Sequence, residues 1–347
     1  MSFIVQNKKG KNEYNTTENP WRKRNGKFAK ILSFPLSRLP LLAISEVIKS
    51  MRTREIFYLS VLSKKSANFV MLSIPKNSLS AELTFRNDHF EFELMPEGFM
   101  KHGAKFLPAA GCETENETVI TRFSTCDLYI QSTWASTFEF ETYTRKLFYR
   151  FSKIFKNSKL CITFKENIRE EFAMEIMRFA LANNFLFDRI QFCLTNASSE
   201  SIQELLNRCN GHHTSLCIRT KIPKDFKCTP PPGGYKFKSF EVHDAHWVNL
   251  DDFSQGREVF FWQGIPGLTV EYLNGLLKRI VNLECRFETF NLSLRNRPSD
   301  FAAIVEGLSE SEIEQEGLHQ KLQFERKDGL KLMITFSYGY NLRMTTF

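Results

Sequence analysis

Beyond a polar N-terminal stretch, apolar residues fall at Leu41, Ile44, Ile48 and Met51, with Val47 beside them. This i, i+3, i+7, i+10 course predicts an amphipathic helix entered through Pro40, whose missing N–H suits a first turn. Two short helices follow, "TREIFYLSVL" from Thr53 and "SKKSANFVML" from Ser63, each with a hydroxyl available as N-cap. Three helices in about 40 residues bury too little to stand alone and need either the following domain or a partner.

From Ser80 the period changes to two. "AELTF" and "FEFEL" around "RNDH" predict a β-hairpin, and "VITRF" and "DLYIQ" two further strands, near an acidic loop at 108–118. A helix follows with Tyr143, Leu147, Phe151 and Ile154 on one face. Strand patterns then recur at Ile162, Phe192, Ile218, Phe240, Phe261 and Leu292, at a spacing of roughly 20 to 30 residues. Between them lie helical patterns. "NIREEFAMEIMRFALANN" offers Asn167 and Glu170 as a capping box. "SSESIQELLNRCNG" aligns Ile202, Leu205, Leu206 and Cys209 and stops at Asn210-Gly211, and "TVEYLNGLLKRIVN" aligns Leu273, Leu276, Leu277 and Ile280.

Strand, helix, strand at this spacing implies parallel strands with right-handed crossovers. The expected class is therefore α+β to α/β, with a leucine-rich-repeat-like βα arc over about 156–300 and flanking β-hairpins. One sheet face lies under helices. The other should expose the out-of-pattern residues Thr163, Gln191, Cys193, Arg219, Glu241, His243, Phe260, Trp262, Asn291, Ser293 and Arg295, unless a one-residue slip exchanges the faces. "KLQFERK", Asp328-Gly329 and "LKLMITF" predict a closing hairpin, with a last strand at 341–347.

Composition refines this picture. The 347 residues, 42% hydrophobic and 25% charged, suit about two globular units, and 34 phenylalanines point to aromatic cores. Eight Lys and Arg against two Glu place +6 of the net +8 in residues 1–32, leaving +2 for the rest. Residues 1–32 are expected to be a disordered basic leader, and the nearly neutral remainder argues against a duplex-binding fold. A nucleic-acid-associated protein using that leader, or a plain protein-interaction module, remains the alternative reading. The eight cysteines lack a CxxC framework, so reduced thiols in the cytosol or nucleus are expected, and no apolar run approaches a membrane span. Cys209, His212, His213 and Cys217 lack the paired spacing of structural zinc sites. With no phosphate-cradling or nucleophile-elbow motif, neither an enzyme nor a cofactor is expected. What remains is a surface: Arg219, Glu241, His243, Phe260, Trp262 and Arg295 have the aromatic-plus-Arg character of a protein-binding hot spot.

Residues 34–72 resemble an F-box. Leu39-Pro40 matches the hallmark, Ile44, Val47 and Ile48 the first helix, "IFYLSVLSKK" the second helix and turn, and Phe69-Val70 the closing apolar pair. "FKSFEVHDAHWVNLDDF", "LTVEYLNGLLKRIVN" and "ERKDGLKLMITF" are similar to the F-box-associated domain of a large nematode family. The resemblance implies an F-box at 33–73 and a substrate-recognition domain at 74–347. It implies docking to the Skp-type adaptor of a cullin-RING ubiquitin ligase, an SCF complex, through Phe34, Pro35, Leu39, Pro40, Ile44, Ile48 and Leu59. An unidentified protein substrate would bind the C-terminal domain.

Overall fold

The computed structural model describes residues 3–6, 38–75, 78–86, 90–96, 102–108, 118–123, 127–132, 137–156, 158–183, 185, 187–294, 300–308, 312–338 and 340–347. The chain is mixed α/β and divides into two units, Met1–Glu82 with Asp88–Ser158, and Leu83–Asn87 with Lys159–Phe347.

The first unit holds β1 (Phe3–Gln6), α1 (Leu41–Ser50), α2 (Thr53–Leu62), α3 (Lys64–Ser73), most of β2 (Leu79–Phe85), β3 (Phe90–Pro96), β4 (His102–Pro108), β5 (Thr118–Phe123), β6 (Asp127–Ser132) and α4 (Thr137–Ile154). Its strand order is β1-β5-β6-β4-β3-β2, with β1/β5 and β4/β6 parallel and β3/β4 and β5/β6 antiparallel. The leader is thus corrected at Phe3–Gln6, where an apolar, partly β-branched run extends along β5 instead of staying unpaired.

Ile44 and Ile48, one turn apart, bury to 2% and 0% as α1 packs on α3. Ser63 caps α3 as expected, its Oγ accepting from Ser66 N at 3.1 Å. Thr53 does not cap α2; the Glu55 carboxylate reaches back to Arg52 N at 2.9 Å and serves that end. Strands β3 and β4 pack on α2, and α4 packs on α3. Phe57 of α2 stacks on Phe92 of β3 at 5.7 Å and Phe151 of α4 at 6.0 Å, and those two rings stack at 4.2 Å.

The second unit takes the end of β2 beside β7 (Lys159–Phe164), where Lys165 N donates to Phe85 O at 2.9 Å. Then come α5 (Glu170–Ala182), β8 (Phe187–Phe192), α6 (Ser199–Arg208), β9 (Ser215–Ile218), β10 (Ser239–Asp244), β11 (Glu258–Gln263), α7 (Val270–Val281), β12 (Thr289–Ser293), α8 (Phe301–Val305), β13 (Glu314–Glu316), β14 (His319–Glu325), β15 (Lys331–Ser337) and β16 (Asn341–Thr346). Strands β7 to β12 pair in sequence order, all parallel, and β16, β15, β14 and β13 follow antiparallel.

Register makes the core. Ile162, Ile190, Leu216, Phe240, Val259 and Phe290 form one cross-strand row, and Phe164, Phe192, Ile218, Val242, Phe261 and Leu292 the next. All are exposed by 2% or less. Ser198 and Thr269 cap α6 and α7. The expected Asn167–Glu170 box is corrected: Asn167 takes a left-handed φ of 66°, and Glu170 instead accepts from Ser198 N at 3.0 Å, joining α5 to the start of α6.

No α-helix separates β9 from β10 or β10 from β11, although a short 3-10 helix, Leu250–Phe253, lies in the second connection. Aromatic residues take the place of an α-helix: Tyr235 stacks on Phe253 at 5.0 Å and Phe253 on Phe240 at 4.6 Å. Gly234 admits this turn. Its φ is +74°, and a Cβ there would stand 2.6 Å from the Asp252 carbonyl oxygen, which accepts from Tyr235 N at 2.7 Å.

Phe57→Ala is expected to cost about 3–5 kcal/mol in denaturant unfolding. Gly233→Ala, at φ +81° with open space around it, should cost about 1–2 kcal/mol through its backbone alone. Gly234→Ala should cost measurably more, and equal shifts in the two urea midpoints would overturn the role given to the Asp252 contact.

Candidate functional site

Two surfaces stand out, one on each unit. On the first, the apolar residues left outside the helical core are Leu41 and Leu42 at the start of α1, 52% and 82% exposed, Leu62 at the end of α2 and Leu72 near the end of α3. Leu39 is half-buried, Pro40 exposed and Leu59 half-buried. Ile44 and Ile48 are corrected: they bury against α3 and offer nothing to another chain. Leu41 shares their stripe but stands one turn earlier, at the uncovered start of α1, and with Leu42 it carries the outward apolar surface. Phe34 and Pro35 lie outside the described residues.

On the second unit, the register aligns Thr163, Gln191, Cys217, Glu241, Phe260 and Asn291 across six strands. They occupy the side opposite the apolar rows, because successive side chains alternate. Glu241 is the hub. Its Oε1 accepts from Arg219 Nη2 at 2.9 Å and Trp262 Nε1 at 3.2 Å, and lies 3.3 Å from His243 Nε2. The His243 ring sits 5.7 Å from the Trp262 indole, centroid to centroid. Trp262 remains 43% exposed and Phe260 half-buried. Five of the six residues proposed from sequence thus come together, and Arg295 lies outside the described residues. Thr163 shares the row but is covered, with Oγ1 donating to Gln191 Oε1 at 3.3 Å.

Sequence reasoning missed Cys217. The apolar look of "SLCI" hid that its thiol stands in the Glu241 row; counting two residues back from Arg219 is the signal that finds it. Burial first, and then the Glu241 charge, push this thiol up to about 12. Burial would also raise the Glu241 carboxyl, but hydrogen bonds from Arg219, Cys217 and Trp262 and the Arg219 charge outweigh it and hold the group below its usual range. The cluster therefore presents an ionised carboxylate already engaged by donors and a protonated thiol beside it. What it leaves open is an indole face, an imidazole and the remaining guanidinium N–H groups, which is a chemistry of recognition.

The "HDAH" histidine His246 lies 2.8 Å from Asp244 Oδ1 and 3.1 Å from the Pro223 carbonyl, bracing a loop. Among the described residues no group of three or more His, Cys, Asp or Glu could hold a metal ion, and no helix is long and apolar enough to cross a membrane. The six described cysteines are free thiols. No protein-family profile, curated protein or solved structure matches this chain.

A depressed folded-state pKa stabilises above the unfolded value, about 4.3 for Glu, and that contribution fades as pH falls through the folded value. The stability gap between wild type and Glu241→Gln in urea unfolding should therefore be complete at pH 7 and close only on acidification below the ordinary carboxylate range. A gap unchanged down to about pH 2.5 would show that Glu241 acts through shape and not charge.

Proposed function

We propose that this chain is a substrate-recognition adaptor of an SCF-type ubiquitin ligase. Residues 33–73 act as an F-box that docks the Skp-type adaptor of a cullin complex, and residues 74–347 bind a protein to be ubiquitylated. The observation that carries this reading is the short three-helix bundle whose first helix opens with Leu41 and Leu42, both exposed and directly after Leu39-Pro40. Burial of such leucines contributes about 25 cal/mol per Å², concentrated in a few anchors. Leu62 and Leu72 extend the same apolar character on the neighbouring helices.

The second unit supports the substrate-binding half. Its parallel strands, read as a leucine-rich-repeat-like arc, keep the Arg219, Glu241, His243 and Trp262 cluster on the side away from the apolar rows. In this role the protein holds its target beside a ubiquitin-charged enzyme and contributes proximity, forming no bond itself.

Affinity purification with the double variant Leu41→Ala, Leu42→Ala tests the first half. Both side chains are exposed, so far-UV circular dichroism should match wild type while recovery of the Skp-type adaptor falls about tenfold or more. Trp262→Ala should keep the adaptor and lose a subset of other partners. Undiminished adaptor recovery with the leucine pair removed, or no adaptor with wild type, would overturn the reading.

A further inference from the structure

At the end of the sheet where β11 and β12 begin, the second unit forms a half-open cavity of about 340 Å³, with Arg257 and Arg286 exposed to solvent. That volume is within the range of small-ligand sites. It lies at the far end of β11 from Trp262, about 16 Å along the strand at 3.3 Å per residue. Three guanidiniums line it, those of Arg257, Arg286 and Arg326, with His212 beside them and the carboxylates of Glu288 and Asp328. With His212 neutral, these side chains carry a net charge of +1.

The arginines are not equivalent. Arg257 is gripped by Glu288 through Nε at 2.9 Å and Nη2 at 2.6 Å. Arg326, its side chain only 10% exposed, is gripped by Asp328 through Nε at 2.8 Å and Nη2 at 2.7 Å. Each fork occupies one edge of a guanidinium, which has five N–H donors, and leaves the Nη1 side unspent. The carboxylates thus orient the two groups without using them up. Arg286 has no side-chain partner among the described residues.

The frame is backbone-anchored on every side. Arg286 N donates to Ser254 O at 2.8 Å, Glu288 N to Arg257 O at 2.7 Å, and Lys327 N to Val281 O at 3.1 Å. The first two bonds tie the α7–β12 loop to the segment leading into β11, and the third ties the β14–β15 turn to the end of α7. A rigid cationic concavity with one uncommitted guanidinium and two oriented ones matches a tetrahedral oxyanion, which accepts hydrogen bonds from three directions at once.

We propose that this cavity is a phosphate-binding site, with Arg286 as the principal ligand and Arg257 and Arg326 as its pre-oriented flanks. The site stands independently of the ubiquitin-ligase reading. Its phosphate comes either from a phosphorylated residue of a polypeptide or from a free phosphate-bearing molecule, and both place the same group in the same donors.

The test uses the full chain in calorimetric titration with two probes, inorganic phosphate and a blocked Gly-phosphoserine-Gly peptide, with unphosphorylated Gly-Ser-Gly as reference. Wild type should bind at least one phosphorylated probe saturably with a Kd near 1 mM or tighter, about 4 kcal/mol or more, and should not bind the reference peptide. Arg286→Gln should weaken binding about tenfold or more. Arg286→Lys, which keeps the charge and loses the fork, should fall between, and Trp262→Ala should leave binding unchanged. A peptide bound more tightly than free phosphate assigns the source to a polypeptide; the reverse assigns it to a free anion. Absence of saturable binding to either probe by wild type up to about 10 mM, or wild-type affinity in a normally folded Arg286→Gln, overturns the proposal.

Discussion

Strand register is the constraint on which the second unit depends. Residues two apart share a sheet face, so a slip of one position in any of the strands β7 to β12 would turn Ile190, Phe240 or Phe261 outward and bring Gln191, Glu241 or Trp262 into the core. Both errors are unfavourable, one through lost burial and the other through a buried carboxylate. The rows of isoleucine, leucine and phenylalanine therefore fix where the polar groups stand. Arg219 meets Glu241, and Glu241 meets Trp262, because neighbouring parallel strands were first aligned by apolar residues one position away.

A different device holds the first unit. Its helices α1, α2 and α3 are ten residues each, too short to persist alone, and the stack of Phe57, Phe92 and Phe151 fastens them to a strand and the longer α4. The inner face of α1 is used up in this packing, while Leu41 and Leu42 are not. A surface of that kind suits the adaptor-docking role proposed here, because it adds contact area without drawing on the unit's own core.

Much of this was legible in the sequence. The 3.6-residue period marked α1, α6 and α7, the hydroxyls of Thr53 and Ser63 pointed to α2 and α3, and the period of two marked β7 and β11 to their ends. The polar cluster could be named because its members broke the apolar alternation. Legibility failed where the deciding contact was distant. Whether Ile44 and Ile48 face α3 or a partner depends on packing that periodicity does not encode. Glu170 looked like a capping residue because Asn167 stood three positions earlier, yet its carboxylate turns to Ser198, 28 residues on. Strand β4, between two neighbours of opposite direction, has an irregular "HGAKFLP" sequence and was not foreseen. The Arg257, Arg286 and Arg326 grouping draws on three separate connections, so no local window contains it.

Strand β16 has an implication for the order of assembly. It lies between β12 and β15, so the segment running from β13 to β15 reaches the parallel strands only through it. Strands β7 to β12 can be added one after another, each closing a modest loop on its predecessor. The last strands have no such stepwise route. Their link to β12 comes last in the chain, so the exposed side of β12 stays an open edge until Asn341–Thr346 has formed β16.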